Sequence, residues 1–399
     1  MIEDFKRHQI DIQTMSELES KIHDTVAGSG LDAVMAVGVD NFHYLTRTVL
    51  PFAENYPDRR AAVILPRDGK GVVLCPVDWS EAVRDQGWGG EIRTYDENDG
   101  VSPLAFVEAL KRILDEKDLS KSKIGLDLTR VTKGLMDVLR SELPGNEWVG
   151  ADTLYRGLRI VKTPDEVAMI ETACQYLDRG IIHALNHLEG TVENPGYTVA
   201  EFTERTRVHA FEDGISGVGH MSTTLASDAS LFYVPQRGVF RVGIPFKADF
   251  TGHYKGYWAD SGRMAYTGKT PVEYAKAYED NMTLKKEAVK SLRPGVRCSE
   301  VHDRVKALAK KGGIPLWGDV GIGHGVGASH HEPPYLTPGD NTELEPGMVV
   351  AVDVLTIGPG KELIHSKDIY VVEEEGSRLL SWYRNWDRFY EVTGFRAAH

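Results

Sequence analysis

Hydrophobic and polar positions give this chain two textures, which meet near residue 160. In the first half, short unbroken apolar runs alternate with stretches of helical period. Residues 31–38 read as a buried strand. Residues 60–65 and 71–75 read as two more, split by the turn Pro66-Arg-Asp-Gly-Lys70. Amphipathic helices are predicted up to about residue 25, at 104–116 and at 133–142, with a strand over 123–127 between the last two. Strands alternating with helices predict an α/β domain.

The second half opens on Lys162-Thr-Pro-Asp-Glu166, a helix start in which Thr163 caps, Pro164 suits the first turn and two acids follow. The helical period then runs on through Met169, Ala173 and Leu177. Further helices are predicted at about 200–213, 271–292 and 299–312, and strands at 222–226, 245–250, 256–266, 348–357 and 367–373. This half reads as α+β with antiparallel strands. The expected domains are therefore 1–158 and 159–399, with the chemistry in the second.

Composition narrows the field. A length of 399 residues suits two domains. A net charge of −13 argues against nucleic acid or an anionic membrane as partner. No apolar run approaches a transmembrane helix, and the first residues lack the apolar core of a signal peptide. Cys75, Cys174 and Cys298 are too few and too scattered for a disulfide framework or a metal motif. A cytoplasmic protein with buried free thiols is expected.

Candidate chemistry begins at Lys247-Ala-Asp249 and continues to Ala259-Asp260-Ser-Gly-Arg263. A hairpin between the two aspartates would put both carboxylates on one sheet face, where they suit a hard or borderline cation. The second signal is Gly321-Ile-Gly-His324-Gly-Val-Gly, followed by His331-Glu-Pro-Pro334. Its glycines allow tight backbone around one histidine. It is neither a dinucleotide loop nor an HExxH helix, because Pro333 and Pro334 break the helix that motif needs. The third signal is the apolar run 348–352 closing on Asp353, a carboxylate that is costly to bury without a partner. Lys367-Asp368 opens the last predicted strand.

Taken together, these motifs resemble the M24 metallopeptidase family, which contains methionine aminopeptidase, aminopeptidase P, prolidase and creatinase. The family shares the pita-bread fold. The helix start at Lys162, the two-aspartate hairpin, Leu292-Arg-Pro-Gly295, the His324 loop, His331-Glu332-Pro333 and Leu344-Glu-Pro-Gly-Met348 match in order and spacing over about 155–375. Asp40-Asn-Phe-His-Tyr44-Leu-Thr resembles the creatinase and prolidase N-terminal domain. The resemblance implies an α/β N-terminal domain plus an α+β pita-bread (creatinase/aminopeptidase-like) C-terminal domain.

In metal-dependent members the ligands are two Asp, one His and two Glu around a dinuclear site. Asp249, Asp260 and His324 fit three of these. Asp353 stands where the first Glu is expected, and Lys367 where the second, metal-bridging Glu is expected. A further family histidine is absent, its region being occupied by Phe232 and Tyr233. His331 matches a histidine that contacts substrate or intermediate.

The Glu-to-Lys exchange changes the local charge by two units, the charge of one divalent metal. Three carboxylates, one divalent metal and Lys367 would balance. The expectation is at most one divalent metal per chain (Mn, Fe, Co or Zn), held by Asp260, His324 and Asp353 with Asp249 beside them. A metal-free site, as in creatinase, is the alternative. The expected function is a hydrolase of a C–N bond in a small polar substrate, Xaa-Pro dipeptidase-like or aminopeptidase-like but with an altered site. A metal-free hydrolase or lyase and a non-catalytic binding protein are the other readings. His331, Lys367 and Asp249 are the expected catalytic groups, and Tyr233, His220, His253 and Trp258 the expected substrate contacts. By resemblance the protein is a homodimer, in which His43 or Tyr44 would reach a neighbour's substrate.

Overall fold

The computed structural model describes residues 12–50, 59–96, 103–190, 196–225, 238–381 and 386–393. The chain separates into two compact units, Met1–Arg159 and Ile160–His399. Among the described residues no helix is long and apolar enough to cross a membrane.

The first unit runs α1 (Ile12–Gly28), β1 (Ala33–Ala36), α2 (Val39–Thr46), β2 (Ala62–Pro66), β3 (Val72–Pro76), α3 (Ser80–Asp85), β4 (Glu91–Tyr95), α4 (Pro103–Glu116), β5 (Lys123–Leu126), α5 (Lys133–Glu142), β6 (Glu147–Gly150) and α6 (Asp152–Ile160). Its strands form one sheet in the order β4-β3-β2-β1-β5-β6. Pairing is parallel for β3–β4, β1–β5 and β5–β6, and antiparallel for β1–β2 and β2–β3. Apolar side chains of β1, β2, β3 and β5 pack with Phe106, Leu110, Ile113, Leu135 and Leu139 of α4 and α5. Strands β4 and β6 were not legible as strands because they lie at the sheet edges, where polar residues such as Glu91, Arg93 and Glu147 are tolerated and blunt further pairing.

Helix α2 covers Asp40-Asn-Phe-His-Tyr44-Leu-Thr, a segment for which hydrophobic pattern predicted no element. Asp127, fully buried, accepts hydrogen bonds from the Val37 and Gly38 amides and from Asn41 Nδ2, and so anchors its first turn. His43 and Tyr44 are both buried inside this unit, and the Tyr44 hydroxyl donates to Leu158 O at 2.6 Å. The expectation that they reach a neighbouring subunit's substrate is corrected accordingly: their side chains are already committed to their own domain.

The second unit runs α7 (Pro164–Gly190), α8 (Val199–Asp213), β7 (Gly217–Leu225), β8 (Pro245–Tyr254), β9 (Tyr257–Thr267), α9 (Val272–Ser291), α10 (Cys298–Gly312), β10 (Gly323–Gly325), β11 (Glu332–Tyr335), β12 (Val349–Ile357), β13 (Leu363–Glu373), β14 (Gly376–Leu379) and β15 (Tyr390–Val392). Among the described residues these strands make one nine-stranded sheet, ordered β11-β10-β12-β13-β9-β8-β7, with β14 on β13 and β15 on β9. All pairings are antiparallel except β15 with β9. Helix α7 places Ile170, Ala173, Cys174, Leu177, Ile181 and Leu185 on one stripe against β8 and β9. Helix α9 covers β12 and β13 and packs on α10. With one face of the sheet covered by helices, the other is left to display polar residues by strand alternation.

Strand β13 begins at Leu363, four residues earlier than its apolar pattern suggests. The reason is pairing rather than hydrophobicity. Thr356 and Ile357 of β12 supply ladder partners for Ile364 and Leu363, so Leu363-Ile-His365-Ser is extended although polar in part.

Candidate functional site

Ladder register builds the centre of the site. Asp353 of β12 lies opposite Lys367 of β13, Lys367 opposite Gly262 of β9, and Gly262 opposite Asp249 of β8. Directly opposed residues share a sheet face, so these four form a row across four strands. Asp260 lies two residues from Gly262 and therefore on the same face. Gly262 leaves the gap in the row. A Cβ there would meet His365 Cε1 at 2.6 Å and Lys367 Cβ at 2.8 Å.

The Lys367 side chain crosses that gap. Its Nζ lies 3.2 Å from Asp249 Oδ1, 3.0 Å from Asp260 Oδ1, 3.1 Å from Asp260 Oδ2 and 3.3 Å from Asp353 Oδ2. All four side chains are largely withdrawn from solvent, Asp353 remaining the most open with 18% of its side chain exposed. Burial pushes the three carboxyls up, but the Lys367 ammonium and the neighbouring histidines together outweigh it. Asp249 and Asp260 sit well below the usual carboxylate range and Asp353 at about 2. Burial pushes Lys367 down, and the three carboxylates outweigh that in turn, so its net shift is upward. At neutral pH the centre is three carboxylates around one ammonium.

Alternation on the same strands adds two groups that sequence reading missed. Lys247 is two residues before Asp249, with Nζ at 4.0 Å from Asp249 Oδ2. Burial lowers its pKa, only partly countered by Asp249. His365 is two residues before Lys367 and fully buried. Its Nε2 is 2.7 Å from Asp353 Oδ1 and its Nδ1 3.9 Å from Asp249 Oδ2. The signal was available: Lys247-Ala-Asp249 and His365-Ser-Lys367 are both i, i+2 pairs of a strand. This overturns the expected charge balance. With two ammoniums against three carboxylates the cluster is already at −1 before any metal, rather than −2.

The histidine loop closes one end of this cluster. Gly323, Gly325 and Gly327 let β10, β11 and the Lys162 side chain approach closely. A Cβ on them would collide with Ala351 O, Pro333 O and the Glu332 carboxylate respectively. The glycines thus serve close packing. His324 Nε2 lies 3.4 Å from Asp260 Oδ2, and the His331 ring stacks on His324 with centroids 3.5 Å apart. His330, also missed in the sequence, places Nε2 3.0 Å from Asp260 Oδ2. Glu332, buried, holds the turn by accepting from Lys162 Nζ at 2.8 Å and from the Ser329 amide. Desolvation within the histidine stack, reinforced by His324 and His330, pushes His331 down to about 3, although its outer edge reaches solvent.

The remaining predicted residues divide. His220 reaches the cluster, with Nε2 3.4 Å from Asp249 Oδ1 and its ring 5.5 Å from that of His330. Trp258 lies 5.9 Å from the His330 ring. His253 is turned into the end of the β8–β9 hairpin, where Nδ1 accepts from the Gly256 amide and the ring packs on Trp258 at 4.8 Å. Burial lowers its pKa to about 4. Tyr233, and Phe232 beside it, lie outside the described residues.

As a metal site, the arrangement differs from expectation. Among the described residues, the side chains whose ligand atoms lie within 4.8 Å of one another are Asp260, His324 and His331. Asp353 is not in that group, because its two oxygens face His365 and Lys367. A dinuclear site does not fit these residues: the Lys367 ammonium occupies the space between the carboxylates that would bridge two cations. One divalent cation on Asp260, His324 and His331 does fit, with two nitrogens and a carboxylate oxygen as donors.

Comparison with known proteins follows the same lines. Residues 168–374 match Metallopeptidase family M24, and residues 20–161 match the Creatinase/Prolidase N-terminal domain. The chain belongs to metallopeptidase family M24. It is 24% identical over 371 residues to an uncharacterized peptidase of Staphylococcus aureus, covering 91% of this chain and 98% of that protein. It is 27% identical over 242 residues to the Xaa-Pro dipeptidase of Pyrococcus furiosus, covering 59% of this chain and 67% of that one. In structure it resembles the X-Pro aminopeptidase of Thermotoga maritima, with a TM-score of 0.79, 18% identity, and coverage of 93% of this chain and 99% of that one. The architecture is the pita-bread fold with a creatinase-type N-terminal domain, as this M24 member's motifs imply.

Proposed function

We propose that this M24 member is a hydrolase of a C–N bond in a small, polar, dipeptide-like substrate, working with an altered centre that holds at most one divalent metal. The observation that carries the reading is the Lys367 ammonium, within 3.3 Å of all three carboxylates. Where a cation is bound, Asp260, His324 and His331 would hold it, and it would supply Lewis-acid polarisation of a carbonyl and a more acidic bound water.

The protein's own groups do the rest. Lys367 keeps Asp249 and Asp260 ionised at all physiological pH, so they orient donors rather than store protons. His330 donates to Asp260 through Nε2, which fixes its ring at the mouth of the site. With no cation bound, His331, held neutral at pH 7 by its surroundings, can accept a proton from an attacking water and return it to the leaving amine; with a cation bound, it serves as a ligand instead. His220 and Trp258 flank the same opening and are the substrate contacts in this reading. Asp353, the least buried carboxylate, is oriented by His365.

A metal-free hydrolase or lyase is the second reading. Lys247 and His365 favour it, because both add positive or donor groups to carboxylates that a metal would otherwise neutralise. Elemental analysis of purified protein, with turnover measured on a panel of Xaa-Pro dipeptides and small amides before and after chelation, tests both. One metal per chain and activity lost on chelation support the first reading, while activity insensitive to chelation supports the second. Two metals with ordinary Xaa-Pro hydrolysis would overturn the altered centre, and silence across the panel would overturn the hydrolase.

A further inference from the structure

The helix-covered face of the catalytic sheet contains a second cluster of charges, which the reaction does not use. Arg263 alternates with Gly262 on β9, and Asp368 with Lys367 on β13, so both point away from the site. Arg263 Nη2 lies 2.7 Å from Asp178 Oδ1 of α7 and 2.8 Å from Asp368 Oδ1, while Nη1 donates to Lys367 O. Lys285 of α9 pairs with the other oxygen of Asp368. All four side chains are more than nine-tenths buried.

Lys285 and Asp368 line a cavity of about 370 Å³ between α9, β13 and β14. The Lys285 ammonium is 2% exposed, and among the described residues it donates to Asp368 alone. An ammonium carries three donors, so two N–H groups of this buried charge have no acceptor among the described residues, a costly arrangement unless an occupant of the cavity that Lys285 lines accepts from them. Lys286 and Lys290, one turn apart on α9, extend the positive wall outward, and among the described residues neither ammonium meets a carboxylate. Asp178 and Asp368 balance Arg263 and Lys285. Lys286 and Lys290 then exceed Asp387 by one charge, in a chain whose net charge is −13. Val289, Tyr370 and Leu379 make the remaining wall apolar.

We propose that this cavity is a binding site for a small carboxylate with a flat apolar body, its carboxylate held by Lys285 and the rim lysines and its body against Val289 and Tyr370. The site is separate from the reaction centre and does not depend on which chemistry occurs there. It is not isolated from that centre, since Asp368 adjoins Lys367 and Arg263 grips the Lys367 carbonyl.

Benzoate is the probe, with benzamide as its uncharged counterpart, followed by titration calorimetry on the full chain. The expected result is one benzoate per chain, with benzamide at least about tenfold weaker, the equivalent of about 1.4 kcal/mol. The exposed double variant K286Q/K290Q should weaken benzoate about fivefold or more. Val289→Phe, whose ring would take the place of the ligand's body on the apolar wall, should weaken binding. Equal binding of benzamide and benzoate, undiminished binding to K286Q/K290Q or Val289→Phe, or no heat from wild-type protein at about 20 mM benzoate, a Kd above the useful range, would each overturn the site. Should Val289→Phe not fold, the rim variant and the benzamide comparison still decide.

Discussion

Replacing Lys367 by Glu should turn this centre from one that repels a second cation into one that requires it. In the wild-type protein each Lys367 contact, at 3.0–3.3 Å, is worth about 5 kcal/mol of gross attraction at an effective dielectric near 20. Most of that offsets the cost of burying the charges. The net loss on removing one partner of such a cluster is about 3–5 kcal/mol. Glutamate does worse than removal, because it adds a fourth carboxylate and leaves Lys247 as the one ammonium named in the cluster, at a net −3. At about 2–4 °C per kcal/mol for a unit of this size, metal-free Lys367→Glu should melt at least about 6 °C below wild type. Mn²⁺ at a thousand times its Kd returns about 4 kcal/mol, so it should restore most of the difference in the variant. Wild-type protein should take up at most one Mn²⁺ per chain, and the variant one more than wild type. Thermal melts with and without Mn²⁺, and elemental analysis of both proteins, are the assays. Two tightly held metals in wild-type protein, or a variant that melts like wild type and ignores Mn²⁺, would refute the placement of Lys367 as the centre's resident cation.

Three further outcomes follow from the same geometry. His331→Ala should lower turnover by about 10² to 10⁴ while leaving the melting temperature of the metal-free protein nearly unchanged, because the ring edge is exposed and its role is in the reaction, as proton acceptor or cation ligand; wild-type turnover in steady-state assays would reject that role. Gly262→Ala should destabilise by about 1–3 kcal/mol in denaturant unfolding, since its Cβ would meet His365 and Lys367 at 2.6–2.8 Å, and an unchanged midpoint would contradict the packed row. Acid stability should depend on the cluster: Asp353 falls from an unfolded value of about 3.9 to about 2, and Asp249 and Asp260 lie lower still. Depressed carboxyl pKa values give stability that is full above about pH 4 and lost as pH falls through the folded values. Lys367, shifted upward, stabilises below about pH 10.4 and is lost only as pH rises through its folded value. Unfolding free energy measured between pH 7 and 2 should therefore fall less steeply in Lys367→Met than in wild type.

Much of this protein was legible in the order of its residues. Hydrophobic period located the long helices and central strands, and Thr163-Pro164 marked the start of α7. The spacing of Asp249, Asp260, His324 and Asp353 named most of the centre, because sequence motifs encode what one strand presents along its own length. Lys367 stood out by the same reasoning, as a charge in a position where its opposite was expected. What only the tertiary structure decided is which of these groups meet. Cross-strand register set Asp353, Lys367, Gly262 and Asp249 in one row, and Gly262 left the space through which an ammonium reaches three carboxylates. The same register drew β13 back to Leu363 and so brought in His365, while the turn before β11 aimed His330 at Asp260 and grouped His331, not Asp353, with His324. A strand's alternation fixes the face of each side chain, but the partner strand and its offset are set by long-range pairing and by the glycines that permit close approach. For that reason the sequence determined the chemistry available to this protein, and the folded sheet determined the charge balance in which that chemistry operates.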